Sequence, residues 1–235
     1  QQVAAGLAAR KATLAGSAPS LIGMLHVPAL PGTPQHALSI DQIIDGVCAE
    51  ATTLASLGYH ALLLENIHDL PYLKTQAGPE IVAAMTAVAT SVHREVDVPL
   101  GIQILAAANR EALAVAQAAS LQFIRAEGFV FGHIADEGYI DSCAGELLRY
   151  RKQIGAEAIQ IFADIKKKHS SHAITADISI AETAKAAEFF RADGLIVTGT
   201  ATGQPTQIED LHAVRKASDL PLVVGSGTTL ENVAS

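Results

Sequence analysis

Short apolar runs alternate with amphipathic stretches along the chain, and most runs end at a glycine, a proline or a polar cluster. Short runs rich in Val, Ile and Leu are typical of strands buried on both faces, and the longer stretches have the spacing of helices that bury one side. The pattern predicts seven strands, at residues 21–27, 60–66, 99–105, 123–127, 158–165, 194–198 and 222–225. It predicts helices at residues 39–57, 79–96, 109–121, 144–154, 179–191 and 207–217.

Strict alternation of strands and helices predicts a parallel sheet and an α/β fold. We interpret residues 1–235 as a single (β/α)8 TIM barrel of the phosphate-binding type, with residues 1–19 as a leader segment. Residues 229–235 are predicted to begin the seventh helix, so strand eight and its helix are expected to be absent from this sequence. An open sheet is the alternative, which the aggregation tendency of an apolar sheet edge disfavours.

Composition and charge narrow the class of partner. Apolar residues make up 49% of the chain, the net charge is −8, and no basic stripe is present, so nucleic acid is not expected as a partner. No apolar run approaches the roughly 20 residues of a membrane span. Cys48 and Cys143 do not form a CxxC motif, which favours thiols in a reducing compartment, and we expect a cytoplasmic protein.

Glycine turns follow the last two predicted strands. Thr198 and Gly199 follow strand six, and Gly225, Ser226 and Gly227 follow strand seven. Glycine lets a backbone approach an anion closely, and in TIM barrels the phosphate site commonly lies in the loops after strands seven and eight. We therefore predict a phosphorylated small molecule as ligand, bound in part by the N–H groups of residues 225–227. An ordinary tight turn is the alternative, and a bulky residue at position 227 is predicted to abolish binding without unfolding the protein.

Polar side chains cluster where the predicted strands end, which is the catalytic edge of a barrel. We predict catalytic roles for His26, Glu65, Asp164 and Lys166, and substrate binding by Asn66 and Arg125. Asp164 and Lys166 are two residues apart, so they are expected to share one face of strand five, either as acid and base or as an ion pair. On this view an Asp164→Asn variant keeps its melting temperature within a few degrees and loses turnover.

Several alternatives remain open for these side chains. Lys166 could form a Schiff base, and Arg125 could pair with Glu127 or Glu65 instead of a ligand. No cofactor is predicted. A divalent metal is an alternative. It would be held by strand-end side chains that lack a short-range ligand spacing, namely His26, Glu65, Asp164 and His169. The glycine-rich stretch 128–139 could be a lid or a simple connection.

Several motifs resemble those of the BtpA family. The resemblance covers nearly the whole chain from residue 21 onward, and it is carried by Asn109 and by segments 23–34, 65–72, 163–169, 193–199 and 224–227. It implies a closed ribulose-phosphate-binding barrel whose eighth strand carries a further Gly-Ser pair. The family takes its name from a protein implicated in photosystem I biogenesis.

Two functions of different classes follow from this sequence. The first is a metal-independent isomerase or lyase that acts on a phosphorylated sugar or nucleotide-like metabolite. The second, which the family name suggests, is a non-catalytic assembly or biogenesis factor for a membrane complex such as photosystem I. Convergence of the strand-end residues on one pocket would favour the enzyme, and scattered, mutually neutralised pairs would favour the scaffold. A homo-oligomer is compatible with both.

Overall fold

The computed structural model describes residues 20–199, 204–229 and 231–232. The seven predicted strands are present as β1 (Ile22–His26), β2 (Ala61–Glu65), β3 (Leu100–Gln103), β4 (Phe123–Ala126), β7 (Gln160–Asp164), β9 (Gly194–Val197) and β10 (Leu222–Val224). The six predicted helices are α1 (Ile40–Ser56), α2 (Pro79–Glu95), α3 (Asn109–Ala118), α4 (Ala144–Gln153), α5 (Ile180–Phe189) and α6 (Ile208–Ala217). The predicted leader 1–19 lies outside the described residues.

The chain divides into two compact units. The first contains the described residues up to Ile124 together with Arg151–Ile159, and the second contains Arg125–Tyr150 and the described residues from Gln160 onward. The sequence interpretation of one domain over residues 1–235 stays a prediction. Among the described residues, no helix is long and apolar enough to cross a membrane.

In the first unit, β1, β2, β3 and the start of β4 form a parallel sheet in that order. The register places Glu65 of β2 opposite both His26 of β1 and Gln103 of β3. Because paired residues of parallel strands point to the same face, these three side chains share one side of the sheet where the strands end. Helix α1 begins with a capping box, in which Ser39 and Gln42 bond each other's backbone N–H.

In the second unit, the end of β4 is followed in the sheet by β7, β9 and β10, all parallel. Asp164 of β7 lies opposite Ile196 of β9. The ring of Phe162 lies where Gly194 has no side chain, since a Cβ at Gly194 would be 2.4 Å from the Phe162 ring. Phe162 and Asp164 are two apart on β7, so the carboxylate follows the aromatic residue on the same face.

The glycine-rich stretch after β4 forms structure of its own. Strands β5 (His133–Ala135) and β6 (Gly138–Ile140) make an antiparallel hairpin, and β8 (Ser170–Ser171) pairs with β5 on its other side. Gly138 turns the hairpin with a φ of 103°, which favours glycine. The sequence interpretation left this stretch as a lid or a connection, and it is a small second sheet above the end of β7.

Candidate active site

The end of β7 carries a buried ion pair. The Arg125 Nε donates to both carboxylate oxygens of Asp164, at 3.2 Å and 3.0 Å. The Asp164 side chain is 0% exposed and that of Arg125 is 12% exposed. Burial raises the pKa of the Asp164 carboxyl, and the Arg125 guanidinium offsets part of that rise.

The prediction that Asp164 and Lys166 share one face of the strand is wrong, and the alternative of an ion pair between them is not observed. Strand β7 ends at Asp164, and Lys166 adopts a left-handed backbone with a φ of 45°, so the two-residue alternation of a strand does not reach it. The Lys166 Nζ instead donates to the carbonyl oxygen of Thr175, at 3.2 Å. Arg125 pairs with Asp164, a partner that the sequence alternatives for Arg125, Glu127 and Glu65, did not include.

A second ion pair joins Glu127 and Lys167. The Lys167 Nζ lies 3.0 Å from Glu127 Oε1, and their side chains are 12% and 6% exposed. A run of three lysines looks like a solvated loop in sequence, and only the turn at Lys166 shows that the next lysine points inward.

Asp164, Lys166 and Lys167 border one pocket of the second unit, under the hairpin. Its lining residues are Gly128, Val130, Phe131, Gly132, His133, Asp164, Lys166, Lys167, His172, Thr175 and Thr183. Asp164 and Lys166 therefore do meet at one pocket, although they do not pair. The pocket contains carboxylate, ammonium and imidazole groups, which is the mixture that proton transfer requires.

His133 is the most unusual of these side chains. It is 5% exposed, and its Nε2 is buried without a hydrogen-bond partner. Burial lowers its pKa to about 4, and the neighbouring Lys167 and His172 contribute to the shift. The imidazole is therefore neutral near pH 7. The sequence analysis missed this residue because a lone His in a glycine-rich loop carries no spacing signal.

The loops after β7, β9 and β10 meet at Lys168. The Lys168 Nζ donates to Ser226 Oγ at 2.8 Å, and its backbone N–H donates to Thr198 Oγ1 at 3.0 Å. These contacts bring together two predicted phosphate ligands, Thr198 and Ser226, and add the ammonium group of Lys168. We call Thr198, Gly199, Lys168, Ser226 and Gly227 the cradle.

The glycines of these loops have mixed roles. The Gly225 N–H donates to the carbonyl oxygen of Val197 at 2.8 Å, so the prediction that this N–H binds phosphate is wrong. A Cβ at Gly199 or Gly227 would lie 2.1 Å or 2.3 Å from the carbonyl oxygen of Gln204. Close backbone packing therefore explains why both positions are glycine, and ligand binding by Gly199, Ser226 and Gly227 stays a prediction. The Thr202-Gly203 turn lies outside the described residues.

The first unit has its own polar row at the ends of its strands. His26 Nε2 lies 3.7 Å from Glu65 Oε2, so two predicted catalytic residues are close together. Gln103 is next in the row and is 1% exposed, and both its side-chain Oε1 and Nε2 lack a hydrogen-bond partner. The sequence analysis did not single out Gln103.

We expect a Gln103→Met variant to be at least as stable as the wild-type protein. Methionine has a similar shape, and it removes two buried polar atoms whose lost hydration costs about 1–3 kcal/mol. The measurement is the melting temperature, with the neighbouring Leu100→Met as a control for shape alone. A fall of several degrees in Gln103→Met but not in Leu100→Met would show that the amide stabilises the fold.

Asn66, a predicted substrate ligand, is tied into the protein. Its Nδ2 donates to Asp69 Oδ2, and its Oδ1 accepts from the Leu105 N–H, both at 2.8 Å. Asp69 also accepts from the Leu30 N–H at 2.8 Å, and burial raises its pKa. This network orders the loop after β2, and contact between Asn66 and a ligand stays a prediction.

The comparisons with known proteins decide the family. The family model described as the BtpA family matches residues 17–235. The chain belongs to the BtpA family. It is 50% identical over 224 residues to an uncharacterized mitochondrial protein of Caenorhabditis elegans, covering 93% of this chain and 81% of that one. It is 34% identical over 214 residues to the photosystem I biogenesis protein BtpA of a Synechocystis species, covering 91% of this chain and 74% of that protein.

Solved structures confirm the fold class of this BtpA-family chain. The N-acetylmannosamine-6-phosphate 2-epimerase of Clostridium perfringens matches with a TM-score of 0.56 at 13% identity, covering 94% of this chain and 82% of the enzyme. The orotidine 5'-monophosphate decarboxylase of Methanocaldococcus jannaschii matches with a TM-score of 0.52 at 12% identity, covering 88% and 80%. The neighbours are TIM-barrel enzymes, and at these identities the likeness concerns the fold alone.

The alternative of a metal site in this BtpA-family protein gains no support from geometry. Within residues 20–199, 204–229 and 231–232, no group of three or more His, Cys, Asp or Glu side chains could hold a metal ion. Location in the cytoplasm and assembly into homo-oligomers stay predictions.

Proposed function

We propose that this BtpA-family protein is an enzyme of the isomerase or lyase type that acts on a phosphorylated sugar or nucleotide-like metabolite. The cradle would hold the phosphate, and the pocket at the end of β7 would carry out proton transfer on the rest of the molecule. A TIM-barrel fold with polar residues at its strand ends supports this proposal, because barrel enzymes use that edge for catalysis.

The contact between Lys168 and Ser226 carries the proposal. It sets an ammonium group beside a hydroxyl group and the left-handed Gly227, whose φ is 67°. Left-handed turns of this kind make backbone concavities that attract anions, and lysine is a common point-charge ligand of phosphate. The bond to Thr198 fixes the backbone of Lys168, so its side chain is held by two loops.

The chemistry of the pocket agrees with proton transfer. Two ion pairs neutralise four charges, and Asp164 and Lys167, one from each pair, line the same pocket. Asp164 and Lys166 meet at one pocket, which supports an enzyme, whereas the neutralisation of Asp164 by Arg125 is the arrangement expected of a scaffold. In the first unit, His26 and Glu65 form a further acid–base pair within 3.7 Å.

An assembly or biogenesis factor is the second candidate, and the printed name of the Synechocystis relative is what favours it. Such a factor does not need a phosphate site. Phosphate binding therefore separates the two functions.

We expect wild-type protein to bind inorganic phosphate and a Lys168→Met variant to bind it about 10- to 100-fold more weakly, the effect of losing a hydrogen bond to a charged group. Titration calorimetry measures the affinity. Lys216→Met, on the exposed last turn of α6, is the matched control for loss of one positive charge. Equal affinity in Lys168→Met and Lys216→Met would reject the cradle, and wild-type protein that binds no phosphate would favour the assembly factor.

A further inference from the structure

The pocket under the hairpin contains a polar atom that the protein itself leaves unsatisfied. His133 lines this pocket, is 5% exposed, and has a buried Nε2 with no hydrogen-bond partner. Buried polar atoms without partners are rare in folded proteins, because each one loses its hydration and gains nothing in return. An unpartnered ring nitrogen on a side chain that lines a pocket suits a bound polar group.

The side chains around His133 indicate the chemistry of the bound polar group. Lys166 and Lys167 line the same pocket, so positive charge stands beside the imidazole. His172 lies with its ring centroid 5.6 Å from that of His133, and its Nε2 is within 3.0 Å of the Lys167 carbonyl oxygen. Neutral imidazole next to two ammonium groups suits an oxygen that is uncharged in the substrate and gains negative charge during the reaction.

The pocket and the cradle are adjacent along the chain. Lys167 borders the pocket, and the next residue, Lys168, bonds to Ser226 in the cradle. Consecutive Cα atoms are about 3.8 Å apart, so one backbone segment borders both the pocket and the cradle. A compound that carries both a phosphate and a carbonyl oxygen would match the chemistry of the two sites.

We propose that the substrate is a phosphorylated α-hydroxycarbonyl compound and that His133 Nε2 donates a hydrogen bond to its carbonyl oxygen. The Asp164 carboxylate, which lines the same pocket, takes the proton from the hydroxyl-bearing carbon; the C–H electron pair forms the C=C bond, and the carbonyl oxygen becomes an enediolate oxygen. This inference rests on the proposed function and adds a substrate class and a ligand-contacting residue to it. Lys166, whose Nζ donates to the neutral carbonyl oxygen of Thr175, supplies the positive charge that stabilises the enediolate.

The experiment compares two probes that differ in one group. Phosphoglycolate carries a phosphate and a planar carboxylate that imitates an enediolate, and ethyl phosphate lacks the carboxylate. We expect wild-type protein to bind phosphoglycolate about 10- to 100-fold more tightly than ethyl phosphate, and a His133→Leu variant to lose this preference while keeping its affinity for ethyl phosphate. His212→Leu, on the exposed face of α6, is the control for loss of a histidine.

Two further measurements distinguish loss of the His133 hydrogen bond from misfolding of the His133→Leu variant. His133→Gln keeps a hydrogen-bonding side chain and should recover part of the preference. In wild-type protein, the 15N signal of His133 Nε2 should shift with phosphoglycolate and stay unchanged with ethyl phosphate. An unchanged preference in His133→Leu, or a wild-type protein that binds both probes equally, would overturn the inference and leave the proposed function intact. Binding of neither probe would overturn both.

Discussion

An Asp164→Asn variant is expected to lose about 3–5 kcal/mol of folding free energy, since it breaks a buried ion pair by removing one of its two charges. At roughly 2–4 °C per kcal/mol for a chain of this size, the melting temperature falls by about 10 °C. The structure reverses the expectation from sequence, which was a change of only a few degrees. The decisive observation is the pair of hydrogen bonds from Arg125 Nε at 3.2 Å and 3.0 Å to a side chain that is 0% exposed.

The double variant Asp164→Asn, Arg125→Gln tests the same explanation. It removes both charges and keeps hydrogen-bonding groups, so it should be markedly more stable than Asp164→Asn alone. Glu157→Gln serves as the control, because it breaks an exposed ion pair with Lys152 and should leave the melting temperature unchanged. An Asp164→Asn variant as stable as Glu157→Gln would show that Asp164 is held for chemistry and contributes little to the fold.

Most of the helices and strands could be predicted from the sequence because local signals marked them. Ser39 caps α1 and Ser179 caps α5, each in a capping box, and both predicted helices begin at these residues. Pro79 opens α2 at a first helical position. Buried parallel strands are short apolar runs, so periodicity and turn residues were sufficient to find them.

The hairpin β5–β6 and its partner β8 could not be predicted in the same way. The hairpin strands have three residues each and β8 has two, which is too short for an alternation to stand out. Their pairing also joins residues far apart in sequence, such as Ile134 and Ser171. No local signal in either segment indicates the other.

The sequence identified residues of the candidate site but did not show which of them pair with each other. Asp164 and Arg125 were both identified because they stand at strand ends, where barrels carry polar groups. Lys166 does not pair with Asp164, because its φ of 45° redirects the chain after β7. A non-glycine residue in this conformation has no sequence signature, so the roles of Lys166 and Lys167 could be assigned only from the structure.

At one position of the cradle, backbone geometry alone determines the effect of a substitution. Gly227 has a φ of 67°, and a Cβ there would lie 2.3 Å from the carbonyl oxygen of Gln204. Backbone atoms cannot move aside as a flexible side chain can. A Gly227→Ala variant must therefore displace either its own turn or the segment at Gln204, and Ser226 next to it moves away from Lys168.

We expect Gly227→Ala to weaken the binding of inorganic phosphate by at least about 10-fold, because the hydrogen bond from Lys168 Nζ to Ser226 is lost with the turn. Gly155→Ala is a matched control. Its φ is 69°, and no atom lies within 4 Å of the added Cβ, so it bears only the backbone strain of about 1–2 kcal/mol. Both variants should lose some thermal stability, and only Gly227→Ala should lose phosphate affinity in a calorimetric titration. Equal phosphate affinity in the two variants would mean that the close approach of Gly227 to Gln204 serves packing alone, and that the phosphate binds elsewhere.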